Sequence, residues 1–367
     1  MDTKKVLKCK PLTDAPESYW IDSTSSKSYP TLSENIKVDV AIVGGGMVGI
    51  TTGYLLKKRG LNVAVMEAGR ILHGTTGHTT AKITSQHGLI YNKLKKSLGH
   101  DMAKQYADAN ENAIKFIEDL IAENNIECDF EKQSSYVYTK NEKYAKEIQD
   151  EAKAAAELGI KASYIDSIPL PFSILSAVRF DNQAQFHPLK YLLSLSEHIP
   201  GDGSYIFENT RAVDIEDGGR LSVVAENGSK VTADFIVIAS HYPFYNMEGF
   251  YFARIYPERS YVLGIKVSEK YPGGMYISAE EPGRSLRSQK FDGGEIVLVG
   301  GEHHKTGQGP NTMEHYENLR NFACSTFHVE DILYRWATQD CMTLDNVPYV
   351  GHYKSNTPNI YIATGFG

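Results

Sequence analysis

Cysteine is scarce and scattered: Cys9, Cys128, Cys324 and Cys341 are all that the 367-residue chain holds. No C-x-x-C or C-x-H pair occurs, so the spacing offers neither a disulfide framework nor a zinc or iron–sulfur site, and reduced thiols are expected. His303-His304 has no third ligand nearby in sequence, so no metal site is expected there either. No apolar run reaches the ~18 residues of a membrane span. The opening MDTKKVLKCK lacks the apolar core of a signal peptide, so no membrane insertion is expected and a cytoplasmic protein is the default. Positive charge is short: 38 Lys and Arg face 45 Asp and Glu, a net charge of −7. That balance argues against a nucleic-acid or anionic-membrane partner. No Ser-His-Asp or Cys-His arrangement suggests a side-chain nucleophile.

Glycine is plentiful, at 31 residues in a chain that is 41% hydrophobic, and the length suits two domains of a soluble globular α/β protein. Residues 38–69 organise the rest. An apolar, β-branched run at 38–43 reads as a buried parallel strand. Gly44-Gly45-Gly46-Met47-Val48-Gly49 then satisfies G-x-G-x-x-G through Gly44, Gly46 and Gly49. Residues 50–59 carry apolar side chains at helical spacing, Gly60 ends them, and a second β-branched run at 62–66 stops at Glu67.

Each part has a physical task. Gly44 allows the tight turn, Gly46 lets the backbone approach a diphosphate, and Gly49 with Gly53 lets the helix pack on the sheet. Amides at the helix start, including those of Met47 and Val48, can hold phosphate charge together with the helix dipole. Glu67 lies 67 − 49 = 18 positions past the last glycine, near the ~20 expected of an acid that binds a ribose hydroxyl. A carboxylate there, beside Ala68, repels a 2′-phosphate and favours an adenosine diphosphate moiety over NADP. Strand, glycines, helix, strand and acid fall in order, which is the context a dinucleotide fingerprint needs.

Residues 69–91 follow, dense in hydroxyls (Thr75, Thr76, Thr79, Thr80, Thr84, Ser85) and holding His73, His78, His87 and Lys82. Such residues can serve turns and caps. Clustered straight after a dinucleotide fold, they also suit hydrogen bonds to phosphate and ribitol.

Gly-Thr-Thr-Gly-His-Thr-Thr-Ala-Lys at 74–82, behind the fingerprint and Glu67, resembles the FAD-dependent amino-acid and amine oxidase superfamily (D-amino-acid oxidase, glycine oxidase and sarcosine oxidase relatives). More narrowly it resembles a bacterial subgroup whose members often add a C-terminal Rieske iron–sulfur domain. The resemblance implies an α/β fold: a Rossmann-like FAD-binding domain with a parallel sheet and a β-meander, interleaved with an α+β substrate domain with a mixed or antiparallel sheet. It places residues 1–91, 183–246 and 335–367 in the first and 92–182 and 247–334 in the second. It also implies that Thr75, Thr76, His78, Thr79 and Thr80 bind the cofactor and that Lys82 lies near the flavin ring, where a cation stabilises an anionic reduced ring. The backbone at Val213 faces adenine, Ala239 and Ser240 leave room near the diphosphate, and Gly365 belongs to a turn aimed at the pyrimidine edge.

Along the rest of the chain, residues 1–37 read as an extended lead-in punctuated by Pro11, Pro16 and Pro30 and pinned to the body's surface by Tyr19 and Trp20. Residues 93–125 read as a long amphipathic helical region, with Met102, Tyr106, Ile114, Ile117, Leu120 and Ile121 on its core face. Residues 208–213 begin a strand, 221–225 and 230–232 complete a meander, and 233–240 form an apolar strand. His187, before Pro188, is a loop residue and not a catalyst. Arg254, Arg259, Arg284 and Arg287 could clamp a substrate carboxylate, and Arg259 and Arg287 are preferred because they lie beside strands of the substrate region. Trp336 to Gly351 resembles the family's Trp…Thr-x-Asp…Pro…Gly segment, with Gln339-Asp340 where many amino-acid oxidases have Gly-Arg. Cys341 is wrongly spaced from Thr343 and Asp345 for covalent attachment, so non-covalent FAD is expected.

The chain stops at the 360–367 strand and glycine turn, which relatives continue with a helix, so a partial chain is expected and no Rieske ligands can be assigned. The expected activity is dehydrogenation of a C–N bond of an amine or amino-acid-like small molecule by hydride transfer to flavin N5. Oxygen or an iron–sulfur centre would take the electrons. The alternatives are a flavoprotein module that feeds a Rieske partner and an NAD-linked dehydrogenase.

Overall fold

The apolar run at 38–43 becomes the strand Ile36–Val43, whose last four residues are all buried. In the computed structural model, which describes residue 12 and residues 16–309 and 311–367, this strand is central to an eight-stranded sheet. Tyr205–Phe207, Val63–Met66, Ile36–Val43, Lys230–Ile238 and Ile360–Thr364 lie side by side, each pair parallel. Tyr349–His352 adds an antiparallel edge. Ala212–Asp217 and Leu221–Ala225 form a meander on the first half of Lys230–Ile238. The segments read separately at 230–232 and 233–240 are therefore one strand, which pairs antiparallel early and parallel late.

After Gly46 the chain enters the helix Met47–Lys58. Its approach to the sheet depends on two residues without side chains. A Cβ at Gly49 would lie 1.8 Å from the Gly44 carbonyl oxygen, and one at Gly53 would meet Ile199 and Val65 at 3.1 and 3.2 Å.

The second sheet has nine strands. Val329–Thr343, Ile255–Val267, Gly294–Lys305, Arg284–Phe291, Met275–Ser278, Glu131–Thr139, Ser176–Gln185 and Lys82–Ile83 follow in that order, and Ala162–Ile165 also pairs with Ser176–Gln185. All pairs are antiparallel except Met275–Ser278 with Glu131–Thr139. Strand alternation gives this sheet two different faces. Tyr261, Leu263, Val297 and Val299 pack under the helix Thr312–Thr326. Val262, Ile296, Leu298 and Trp336 point the other way, into one core with Ile50 and Tyr54 of the first unit. Val329–Thr343 stays in this sheet throughout, so the expected boundary at 335 falls inside a strand.

Four expectations are corrected. The helical region at 93–125 forms as two helices, Tyr91–Leu98 and His100–Glu123, parted at Gly99 (φ 82°). Met102 is 53% exposed while Ala103 and Ala107 are buried in its place, because closely packed helices favour the smaller side chains. Residues 208–211 do not form a strand. Their amides bond across to Pro30, Gly69 and Glu67, and the strand starts at Ala212. Cys324 is disulfide-bonded, whereas Cys128 and Cys341 are free; sequence spacing carries no record of which thiols meet in space. Tyr19 and Trp20 are not surface pins, for they sit in the short helix Tyr19–Asp22 at 6% and 0% exposure. Of the extended lead-in, residues 1–11 and 13–15 lie outside the described residues, as does Cys9.

Candidate active site

The glycine turn lies where the parallel strands end. Gly44 takes φ 110°, and a Cβ there would fall 2.4 Å from the Ala239 carbonyl oxygen and 2.9 Å from the Ser240 Cα. Ala239 and Ser240 are thus brought against the turn, their strand end tied to it by Ala239 N–H donating to the Val43 carbonyl at 2.8 Å. Gly46, the N-cap residue of Met47–Lys58, has only the Thr76 Oγ1 within reach of a Cβ, at 3.2 Å. Of the first-turn amides, which a helix cannot satisfy internally, Met47 N–H donates to Thr76 Oγ1 at 3.0 Å. Met47 is exposed and Val48 half-buried beside it.

Glu67 follows the strand Val63–Met66 and turns back to the glycines. Its Oε2 accepts from Gly45 N–H at 2.8 Å and its Oε1 from Gly69 N–H at 2.9 Å. A carboxylate has about four acceptor sites, so two remain open. Ala68 next to it is exposed. Thr210 N–H donates to the Glu67 carbonyl at 2.8 Å, which brings the meander, with Val213 at 47% exposure, to the same end of the sheet.

The threonine loop bridges the two sheets. Thr75 to His78 form a 3₁₀ turn. Thr75 Oγ1 donates to the Gln339 carbonyl at 3.1 Å, and Trp336 Nε1 donates to the His78 carbonyl at 2.8 Å. His78 Nδ1 bonds locally to Gly74. Thr79 and Thr84 have the bland role open to them, accepting the amides of Ala81 and Gln86 two residues on. Gln339 lies on the free edge of the nine-stranded sheet, and its carbonyl is also 2.8 Å from His241 Nε2. Thr364 Oγ1 donates to the His241 carbonyl at 2.5 Å. Gly365 (φ 84°) comes so close to Thr343 that a Cβ would meet its Cγ2 at 2.3 Å.

Lys82 opens the last strand of the second sheet. Its Nζ donates to Thr80 Oγ1 at 2.9 Å and Ser285 Oγ at 3.3 Å, and among the described residues no carboxylate pairs with it. Desolvation first, and the nearby Arg287 second, push its ammonium down to about 7.

The two arginines are placed otherwise than the sequence suggests. Arg287 is 1% exposed and fully engaged with protein acceptors. Its Nε donates to the Ser288 carbonyl, Nη1 to those of Thr80, Ala81 and Phe186, and Nη2 to Gln289 Oε1. Its Cζ lies 5.4 Å from the Trp20 ring, and Trp20 Nε1 donates to the Thr79 carbonyl at 2.7 Å. Together they clamp a turn in which Ala81 holds φ 53°, a region costly for a residue with a Cβ. Arg259 shares its strand face with Tyr261, which stacks on His304 and His315. It therefore lies on the side of the helix Thr312–Thr326, away from the threonine loop. His187 is structural: it caps the helix Pro188–Glu197 and meets Ser23 Oγ at 2.9 Å, and burial pushes it down to about 3. Among the described residues no three His, Cys, Asp or Glu side chains converge as a metal site.

The turn, the acid and the loop fit a dinucleotide by the space left at Gly46. Comparison with known proteins identifies which. The family described as FAD dependent oxidoreductase, DAO, matches residues 39–367. The chain belongs to it. YhfW of Bacillus subtilis strain 168, provisionally named a Rieske 2Fe-2S iron-sulfur protein, is 45% identical over 353 residues, covering 96% of this chain and 69% of that one. Gamma-glutamylputrescine oxidoreductase of Escherichia coli K12 is 24% identical over 237 residues, 63% of this chain and 55% of that one. Glycine oxidase from Geobacillus kaustophilus superposes with a TM-score of 0.73 at 19% identity, covering 90% of each chain, so the two share the fold. Membership makes the cofactor FAD, and the NAD-linked alternative falls. No described helix is long and apolar enough to cross a membrane.

The sequence reading missed Trp20, His241 and the Gln339 carbonyl. Each acts across more than 50 residues of chain, and none sits in a local pattern that marks it.

Proposed function

We propose that this chain dehydrogenates a C–N bond of an amine or amino-acid-like small molecule, with FAD held non-covalently in the Gly44–Gly49 turn. The observation that carries the reading is the threonine loop, which ties the phosphate-binding helix start to the free edge of the substrate-side sheet. The name of the Escherichia coli relative, an oxidoreductase of an amine derivative, supports the substrate class. Bound FAD would accept the hydride of the substrate C–H at N5.

The protein's own residues bind, orient and exclude water. Gly46 leaves the diphosphate its approach, Val48 offers a first-turn amide, Met47 N–H ties the same turn to Thr76 Oγ1, and Glu67 holds the ribose. Thr75, Thr76, His78, Thr79 and Thr80 line the loop, Val213 the adenine end, Ala239 and Ser240 the diphosphate, and Gly365 the pyrimidine edge. Lys82 holds a proton at Nζ that it releases near neutral pH, which suits a group taking up a substrate proton or meeting negative charge on the ring. Arg287 keeps the loop in place rather than meeting substrate. Cys341, buried and with its thiol pushed up to about 11, is a poor nucleophile for covalent attachment. The two sheets support the division into an FAD-binding part (1–91, 183–246, 335–367) and a substrate part (92–182, 247–334), with the strand through 335 shared.

Oxygen or an iron–sulfur centre would take the electrons onward. The name of the Bacillus subtilis relative favours a second reading, a flavoprotein that feeds a Rieske partner without oxidising amines itself. An anaerobic panel of amines and amino acids separates the two: bleaching of the flavin supports the dehydrogenase. A flavin bleached by dithionite but by no amine supports the electron-transfer module.

A further inference from the structure

Glu258 and Asp340 stand directly opposite each other on the neighbouring strands Ile255–Val267 and Val329–Thr343. Like charges in that position repel. Among the described residues neither carboxylate has a hydrogen bond or an ion pair. Lys305, in register with Glu258 on its other side, has its ammonium 5.3 Å from the centre of the Tyr256 ring instead. Burial, and then the Glu258 charge, push Asp340 up to about 6, so the protein bears a cost at this pair that no described residue offsets.

Alternation fixes where the pair points. Trp336, Thr338 and Asp340 share one side of their strand, and Val262, Ser260 and Glu258 the same side of the next. Trp336 and Val262 on that side belong to the core that meets the FAD-binding unit. Next to Asp340 in sequence, the Gln339 carbonyl is held by Thr75 and His241. The carboxylates therefore sit beside the cofactor cradle. A second observation is independent of charge: Thr338, between Trp336 and Asp340 on this face, is 9% exposed, and its Oγ1 is buried with no hydrogen-bond partner. Thr338 is in register with Ser260, which places it two residues along the same strand face from the Glu258–Asp340 pair.

We infer that Glu258, Asp340 and Thr338 form the subsite for an organic ammonium group, and that the substrate is an amine carrying a second positive charge, of the α,ω-diamine type. This rests on the amine-dehydrogenase reading above. One amino group would be presented to the flavin, and the distal ammonium would neutralise the carboxylate pair and bond to the threonine hydroxyl. A metal ion is the lesser match, since among the described residues the cluster offers two carboxylates and no third acidic, histidine or cysteine ligand.

Isothermal titration calorimetry of the purified protein with 1,4-diaminobutane and with n-butylamine tests this without requiring turnover. The diamine should bind at least tenfold more tightly, and Asp340→Asn should remove that preference. Because neutralising one charge relieves repulsion, Asp340→Asn should melt no lower than the wild type; Glu258→Gln and Thr338→Val serve if it fails to fold. Equal affinity for the two amines, a preference that survives Asp340→Asn and Glu258→Gln, or binding of Mg²⁺ or Ca²⁺ in place of the diamine would overturn the subsite. Flavin reduction, measured separately, reports on the underlying reading: amines that bleach the flavin without discrimination refute the subsite alone. A diamine that binds selectively yet bleaches nothing refutes the dehydrogenase alone.

Discussion

Two alanine substitutions, three residues apart, separate the fold from its cofactor. At Gly49 a Cβ would sit 1.8 Å from the Gly44 carbonyl oxygen. Both groups are backbone, so no side chain can turn away and the helix must shift off the sheet. Gly49→Ala should destabilise the apoprotein by about 3 kcal/mol, the upper range for overpacking. At Gly46 the backbone is extended (φ −84°, ψ −167°), and the nearest atom to a Cβ is Thr76 Oγ1 at 3.2 Å, a hydroxyl that can rotate. Gly46→Ala should leave the apoprotein unchanged, or stabilise it by about 0.4–1 kcal/mol through the unfolded chain. The same methyl occupies the approach that a diphosphate needs, so FAD affinity should fall by roughly 2 kcal/mol, about 30-fold in Kd. Urea unfolding of the apoproteins reads the first quantity, and flavin fluorescence during reconstitution reads the second. A Gly46→Ala protein that binds FAD like the wild type would refute the placement of the diphosphate. An undamaged Gly49→Ala protein would refute the packing argument.

Glu67→Gln should weaken FAD by about 1–3 kcal/mol, the worth of a charged hydrogen bond, and unchanged affinity in reconstitution would take the carboxylate out of the site. Arg287→Met leaves the carbonyls of Thr80, Ala81 and Phe186 without their shared donor; a loss of about 3 kcal/mol or more in urea unfolding is expected, and a loss under 1 kcal/mol would contradict the clamp. Lys82 binds its proton up to its ordinary value of 10.5 when unfolded, but only to about 7 when folded. Between those values the unfolded chain holds more protons, so stability rises with pH across the window, and the penalty is full below it. Lys82→Met should therefore raise the melting temperature most below about pH 7, with the gain shrinking toward pH 10; a gain that is the same at every pH would contradict the burial of the charge.

What was legible in the sequence is what lies within one strand–turn–helix unit. The spacing from Gly44 to Glu67 is fixed by local geometry, and the structure brings both ends of that spacing together through the Gly45 amide. The choice between Arg259 and Arg287 was not legible, because it depends on which face of a strand each occupies and on what covers that face. Arg259 falls under a helix that begins more than 50 residues later. Arg287 is drawn inward by carbonyls of a loop some 200 residues earlier in the chain. A bulge adds to the difficulty: between Arg259 and Tyr261 the pairing with the next strand slips where Gly301 and Glu302 take positive φ, which no alternation pattern reveals. Trp20 reads as a pin that holds a polar lead-in to the surface, and only the assembled core shows that it also holds the threonine loop through the Thr79 carbonyl. The Glu258–Asp340 pair is likewise invisible until the strands are in register.

The most direct test of the account is an anaerobic titration of the purified, flavin-loaded protein with amines and amino acids, following the visible absorbance of the flavin. The account predicts that at least one amine bleaches it in stoichiometric fashion. A flavin that stays oxidised with every amine and amino acid, while dithionite reduces it at once, would contradict the account.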